Sequence, residues 1–334
     1  MTLGEFQLID RYFRPMDRPG GTSRPDVLVG VGDDGAVLRV PEGRDLVAVL
    51  DTLVEGRHFL PGCSAHSIGH RALAVNLSDL AAMGATPAWA LLGLTLPVAD
   101  ALLLQGIAEG MGALAARYGV ALVGGDTTAG PLSLTVQAMG FVPRGQALRR
   151  SGGAVGDLLC ISGTPGDAAA GLLLERGAAG GVMPAPELQA AAQVLRDRFL
   201  YPTPRVSLGE ALRELASACI DVSDGLAQDA GKLAQASGCG LRLQLDRLPL
   251  STPLLALMGR ERAVDLALTG GDDYELCFTL PPGALAQLSA VAADQQCPLT
   301  CIGVLEAEPG LRLYQDGAAV HRPMAGFDHF TGAG

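Results

Sequence analysis

The chain has 334 residues, of which 49% are hydrophobic and only 4% aromatic, with 45 Gly and a formal net charge of −11. That length favours two domains over a single core, and the apolar content excludes a disordered chain. The acidic balance argues against nucleic acid or an anionic membrane surface as partner.

Met1-Thr2-Leu3-Gly4-Glu5 lacks the basic and apolar regions of a signal peptide, and no charge-free apolar run has the length of a membrane span. A cytoplasmic protein is expected. The seven Cys, at 63, 160, 219, 239, 277, 297 and 301, are odd in number and irregular in spacing. They read as buried thiols of a reducing compartment. Cys297 and Cys301 lack the second pair or nearby His that a zinc site needs.

Phe6, Ile9 and Phe13 fall at helical spacing and predict a short helix over 4–13, followed by a loop rich in Pro, Gly and Arg. The apolar runs Val27–Val31 and Leu46–Leu50 predict strands that run into Asp33-Asp34 and Asp51. Open sheets place ligand chemistry at such strand ends. Ala72, Val75, Leu80 and Met83 form the stripe of a helix over 65–84, with Gly84 as its cap. A second, buried helix covers 101–117 and contains Gly106, Gly110 and Gly112. Val120–Val123 is a buried strand leading into Gly124-Gly125-Asp126, and Leu132–Val142 is another.

A domain boundary is expected near 145–155, giving domains 1–148 and 149–334. The strand Asp157–Ser162 then enters the turn Gly163–Gly166. Helices follow at 167–177, 186–198 and 205–217, with a surface connection at 178–186. Strands are predicted at 218–222, 241–245, 275–280, 299–304 and 311–314.

The chemical signal is a set of aspartates in short Gly-rich contexts. They are Gly32-Asp33-Asp34, Leu50-Asp51-Thr52, Leu77-Ser78-Asp79, Gly125-Asp126-Thr127, Asp221-Val222-Ser223-Asp224-Gly225 and Gly270-Gly271-Asp272-Asp273. One such motif alone is a turn or a helix cap; six at the ends of apolar runs ask for another reason. Two carboxylates about 4 Å apart repel by roughly 4 kcal/mol at an effective dielectric near 20. Gathering them therefore needs a counter-charge. Mg²⁺ takes one or two carboxylates plus waters and substrate phosphates, and the lack of His or Cys companions argues against zinc.

The chain has no P-loop and no kinase-type Gly-rich loop paired with a lysine. Lys232 is its only lysine, so a cation on a phosphate would be Arg. Arg149-Arg150-Ser151-Gly152 is the candidate, or else a solvated linker pair. The Gly163–Gly166 turn either aims N–H groups at an anion or simply joins strand to helix. His58 reads as structural or functional, and Gly326-Phe327-Asp328-His329-Phe330 as an anchor for the tail. The echo of Asn76-Leu77-Ser78-Asp79 in Asp221-Val222-Ser223-Asp224 is a weak sign of related halves.

Taken together, these segments resemble the thiamine-monophosphate kinase family. The resemblance is carried by Gly30–Asp34, Asp51–Val54 with His58-Phe59, Ala74–Gly84, Gly124–Thr128, Arg150–Gly152, Ser162–Asp167, Asp221–Leu226, Gly270–Phe278 and Gly326–Phe330, in the family's order from Gly4 to Phe330. It implies the two-domain α/β fold, with mixed sheets, of the aminoimidazole ribonucleotide synthetase-like superfamily. It also implies a homodimer formed through N-terminal-domain strands. The implied reaction is transfer of the ATP γ-phosphoryl to thiamine monophosphate. By motif, Asp34, Asp51, Asp79, Asp126, Asp221 and Asp224 would bind Mg²⁺. Gly125, Asp126, Arg150 and Ser223 would contact ATP. His58, Asp272 and Phe327 would face the thiamine phosphate, an aromatic suiting the cationic thiazolium.

The family pattern is broken in three places. Val49 and Leu50 replace hydroxyl residues ahead of Asp51, which removes a side-chain metal contact there. Asp272 replaces Glu, and Phe327 cannot donate a hydrogen bond as Tyr or Trp can. Other readings are a superfamily enzyme with a different acceptor or a silent Mg-nucleotide binder. Selenophosphate synthesis would want a Cys in an N-terminal Gly-rich segment, and the hydrogenase maturation protein a C-terminal Cys tail. The chain's first Cys is Cys63 and it ends Phe330-Thr331-Gly332-Ala333-Gly334.

Overall fold

A computed structural model of the chain describes residues 5–179 and 184–322. The expected α/β class with mixed sheets is what forms. The chain divides into two units, one of Met1–Leu80 with Ala85–Ala147, the other of Ala81–Gly84 with Leu148–Gly334.

The first unit opens with α1 (Glu5–Leu8), which widens into a π-helical turn over Ile9–Phe13 and then tightens into 3₁₀ turns over Arg14–Asp17 and Pro19–Gly21. A small antiparallel pair follows, β1 (Val27–Val29) and β2 (Val37–Leu38). Then come β3 (Arg44–Val54), α2 (Ala65–Ala82), β4 (Thr86–Leu96), α3 (Ala101–Tyr118), β5 (Ala121–Ala129) and β6 (Ser133–Pro143). Four strands make one sheet in the order β3-β6-β4-β5. The β4–β5 pair is parallel, with α3 as its crossover.

Asp100 caps α3 by accepting the N–H groups of Leu102 and Leu103, and Gly119, at φ 66°, closes it. The glycines inside α3 have a packing reason. A Cβ at Gly110 would lie 1.9 Å from the His66 carbonyl oxygen, and one at Gly69 would lie 2.0 Å from that of Ile107. α2 and α3 therefore touch backbone to backbone. Trp89 meets Phe141 edge-on at 4.9 Å in a cluster that Val27, Ala36 and Leu38 cover.

The second unit contains β7 (Leu158–Ser162), α4 (Asp167–Ala179), α5 (Gln189–Leu200), α6 (Val206–Leu212), β8 (Ala218–Asp221), α7 (Leu226–Ala236) and β9 (Gly240–Gln244). It continues with α8 (Thr252–Thr269), β10 (Leu276–Leu280), α9 (Leu285–Asp294), β11 (Leu299–Glu306), β12 (Leu311–Gln315) and β13 (Ala318–Val320). The seven-stranded sheet runs β13-β12-β9-β11-β7-β10-β8, antiparallel except for β12 on β9. Leu226, Ala230 and Leu233 of α7 and Val264 and Leu268 of α8 share a core with Ile161, Ile220, Leu243 and Ile302 of the sheet.

Several elements differ from expectation. No strand is expected at β4, nor helices at α7, α8 and α9. Gly124-Gly125-Asp126 lies within β5 rather than after it. The helix expected over 205–217 stops at Leu212, because the chain must turn to enter β8 at Ala218. The two echo segments are not equivalent, since Asn76–Asp79 lies inside α2 and Asp221–Asp224 spans a strand end and a loop.

Candidate active site

In the first unit the strand register fixes the acidic residues. Asp126 lies in one row with Gly93, Thr135 and Thr52, and Gly125 in the next with Leu92, Val136 and Asp51. Asp51 and Asp126 thus sit on opposite edge strands, three inter-strand spacings or roughly 14 Å apart. Gly125 is obligatory: its φ is 153°, and a Cβ would lie 1.9 Å from the Leu92 carbonyl oxygen. Asp126 is exposed, and beyond it the Thr52 and Thr135 hydroxyls bond each other at 2.9 Å. Val49 is half-buried and Leu50 is exposed.

Asp79 is half-buried near the end of α2. Asp34 is exposed in the β1–β2 connection, where Asp33 Oδ1 accepts the Asp34 N–H at 2.8 Å. Asp33 thereby serves its own turn. His58 folds back on β3: its N–H reaches the Val54 carbonyl, and its Nδ1 accepts the Val54 N–H at 3.0 Å. An accepting Nδ1 has no proton, so the neutral ring carries it on Nε2 and can donate there.

In the second unit two motifs are zipped together by the backbone. The N–H of Val222 reaches the Glu275 carbonyl, that of Tyr274 the Val222 carbonyl, and that of Asp272 the Ser223 carbonyl. Asp221, Ser223, Asp224 and Asp272 are therefore neighbours. The glycines permit the approach, for a Cβ at Gly271 would lie 2.3 Å from the Ser223 carbonyl oxygen. Asp272 and Tyr274 both take positive φ, 71° and 50°, and the Tyr274 hydroxyl reaches Asp272 Oδ1 at 3.3 Å.

Behind this loop stands a frame that the motifs alone do not reveal. Asp229 Oδ2, on α7, accepts the N–H groups of Ser223 and Asp224 at 3.0 and 2.9 Å. Lys232 Nζ bridges Asp224 Oδ2 at 2.6 Å and Asp229 Oδ1 at 2.9 Å. Burial raises the Asp229 carboxyl above its ordinary value, against the pull of Lys232 and the Asp224 N–H. Burial lowers Lys232, but its two carboxylate partners outweigh that and hold it above the usual lysine value. The signal was the placement of the chain's only lysine one helical turn beyond an Asp.

A second frame lies beneath. Glu275 is fully buried. It accepts Arg205 at 2.7 and 2.5 Å, Arg198 at 2.5 Å and the Ser162 hydroxyl at 2.5 Å. Burial raises its carboxyl, yet Arg205 and Arg198 bring it down to about 2. The Gly163–Gly166 turn does aim an N–H at a carboxyl group, but that group is internal. Asp273 accepts Gly166 N–H at 2.7 Å and Ala168 N–H at 3.2 Å. Burial pushes the Asp273 carboxyl well above its ordinary value despite these bonds.

Arg150 is exposed and its backbone lies beside the start of β8. The Arg149 carbonyl accepts Cys219 N–H, and the Arg150 carbonyl accepts the Ser237 hydroxyl at 3.2 Å. Phe327 lies outside the described residues.

Among the described residues, no three His, Cys, Asp or Glu side chains converge as an all-protein metal cage. Hard oxygen donors that come singly or in pairs suit Mg²⁺, which completes its octahedron with water and substrate phosphates.

Comparison with known proteins identifies the family. The family model for AIR synthase related protein, N-terminal domain, matches residues 32–142, and that for the C-terminal domain matches 154–316. Thiamine-monophosphate kinase of Salmonella typhimurium is 46% identical, covering 99% of both chains. The crystal structure of thiamine-monophosphate kinase from Stenotrophomonas maltophilia K279a has a TM-score of 0.85 and 46% identity, covering 96% of this chain and 99% of that one. A solved structure complexed with AMPPCP and TMP has a TM-score of 0.75 and 31% identity, covering 99% of both. The chain belongs to the thiamine-monophosphate kinase family of AIR synthase related proteins.

Proposed function

We propose that this protein transfers the γ-phosphoryl group of ATP to thiamine monophosphate, giving thiamine diphosphate and ADP. The observation that carries the reading is the 46% identity with thiamine-monophosphate kinase of Salmonella typhimurium along the whole of both chains. The similar fold complexed with AMPPCP and TMP supports the same pair of substrates.

In this reading an oxygen of the thiamine phosphate forms the new bond to the γ-phosphorus while the bond to the β-phosphate oxygen breaks and ADP leaves. The attacking oxygen is already ionised, so no strong base is required. Positioning and charge neutralisation then supply most of the rate. Asp34, Asp51, Asp79, Asp126, Asp221 and Asp224 would hold Mg²⁺. Bound Mg²⁺ neutralises charge on the transferred group.

Gly125, Asp126, Arg150 and Ser223 would contact ATP. The Ser223-Asp224 backbone is held in place by Asp229. His58, with its proton on Nε2, would donate to the substrate phosphate, and Asp272 and Phe327 would face the thiamine. We further assign a homodimer through the first unit's strands, supported by the exposure of Leu46 and Leu50 on β3. A cytoplasmic location suits seven thiols that form no disulfide.

The test is purified protein with ATP, Mg²⁺ and thiamine monophosphate, followed by chromatography. Thiamine diphosphate should appear in step with ADP and vanish when the metal is chelated; ATP binding without product would sink the reading. Asp126→Asn is expected to lower kcat on the order of a hundredfold or more. Its unfolding midpoint should be unchanged, because Asp126 is exposed. Near-normal turnover would remove Asp126 from metal binding.

A further inference from the structure

Two adjacent inner strands of the second unit's sheet, β7 and β11, are antiparallel, and Cys160 lies directly opposite Cys301 in their register. Directly opposed residues of an antiparallel pair have Cα atoms about 4.5–5.5 Å apart, within the span of a disulfide, and their side chains share a face. The two sulfurs are in contact at 2.6 Å, both thiols are free, and the residues are 141 apart in sequence. The remaining sheet cysteines have no such partner in register: Cys219 opposes Phe278, and Cys277 opposes Ile161 and Ile220.

Access is one-sided. Cys160 is fully buried, whereas Cys301 is partly exposed. The pair shares a proton unequally. Hydrogen bonding to Cys301 and burial raise the Cys160 thiol, whereas the bond from Cys160, with Arg247 nearby, lowers Cys301 to about 7. The accessible sulfur is thus the better nucleophile and the buried one the resolving partner.

We propose that Cys160 and Cys301 form a reversible dithiol–disulfide couple, oxidised by a hydroperoxide that enters at Cys301. The Cys301 thiolate attacks a peroxide oxygen and the O–O bond breaks. Cys301 becomes the sulfenic acid, and the leaving hydroxide takes a proton and departs as water. Cys160, giving up its proton, attacks the Cys301 sulfur, the S–O bond breaks and a second water leaves. One hydrogen peroxide is reduced to two waters and two thiols lose two electrons and two protons. A small dithiol reverses the change. The disulfide spares Cys301 from sulfinic acid and ties the middle of the sheet together. The loop segments 221–224 and 272–275 sit at the end of β8 and the start of β10, and neither contains a residue of the pair, so turnover is expected to change little.

The experiment treats the full-length protein with one to a few equivalents of hydrogen peroxide, blocks free thiols with N-ethylmaleimide, and maps peptides without reduction. The expected result is a Cys160–Cys301 linked peptide pair, lost on adding dithiothreitol. The oxidised protein should unfold several degrees higher, with thiamine-phosphate kinase turnover within about twofold of the reduced form. Cys160→Ser should leave Cys301 as a sulfenic acid trapped by dimedone and then as sulfinic acid. Cys301→Ser, at the partly exposed position, should leave Cys160 reduced and abolish the shift in midpoint. Oxidation of Cys63 without a 160–301 link, or links spread equally among the sheet cysteines, would overturn the couple. The mapping and midpoint do not depend on the kinase reaction, so they stand or fall apart from it.

Discussion

At the scale of single residues, most of the candidate site consists of side chains whose backbone is held by other side chains. Asp229 is the clearest case, since one of its oxygens takes two consecutive N–H groups of the loop that carries Ser223 and Asp224. Asp229→Ala leaves both donors without an acceptor, at a cost of about 1–3 kcal/mol each if they stay dry. The expected result is a tenfold or larger rise in the Kd for AMPPCP with Mg²⁺ by calorimetry, together with a modest fall in stability. Unchanged nucleotide affinity would mean that the loop keeps its shape without Asp229. The grouping of residues was legible where a motif carried it: Asp221, Ser223, Asp224 and Asp272 were all picked out and do lie together. Asp229, Arg198 and Arg205 were not, because they act on the backbone or on a buried partner and sit on helices where charge ordinarily means a solvated face. The Gly163–Gly166 turn was half legible. Its acceptor is real, but nothing in the local sequence says that Asp273 supplies it.

At the scale of elements, the ion cluster on Glu275 ties together β10, α5 and the entry to α6, through Arg198 and Arg205. The carboxyl falls from its ordinary 4.5 to about 2 on folding. A depressed acid contributes stability above its unfolded pKa and loses it as pH falls toward the folded one. By linkage the contribution is on the order of 3 kcal/mol at neutral pH. Glu275→Gln should therefore cost about 3–5 kcal/mol at pH 7, since it also strands two guanidinium groups. The gap to wild type should narrow between pH 4.5 and 2 in urea titrations; a gap independent of pH would show that shape rather than charge is at work.

Element boundaries were legible where polar punctuation is strong, as at Asp100 and Gly119 around α3. β4 was missed because Thr-Pro-Ala-Trp-Ala-Leu-Leu-Gly-Leu-Thr-Leu is nearly all apolar, has a proline in second place and shows no alternation. That is how a strand flanked on both sides and largely covered reads. In α8, Gly259 adopts φ 70° and breaks the helical period, while α7 and α9 thin their stripes with Ala.

At the scale of the whole molecule, two units divide the acidic motifs. Asp34, Asp51, Asp79 and Asp126 fall in one; Asp221, Asp224 and Asp272 fall in the other. No helix among the described residues is long and apolar enough to cross a membrane. Leu50, 58% exposed on β3, would be covered in the proposed dimer. Leu50→Glu should shift sedimentation from dimer to monomer at micromolar concentration without changing far-ultraviolet circular dichroism. A dimer that survives would mean that β3 lies outside the interface.

The strand order β3-β6-β4-β5 also bears on how the chain is made. β6 is the last strand of its sheet to be synthesised, yet it lies between β3 and β4 and is, among the described residues, the only strand paired with β3. During synthesis β3 must wait for about 80 further residues, several seconds at the usual pace of translation. Through that interval its apolar residues and open edge have no native neighbour. For nascent chains of this protein, the vulnerable span is the one between the emergence of Val54 and that of Pro143.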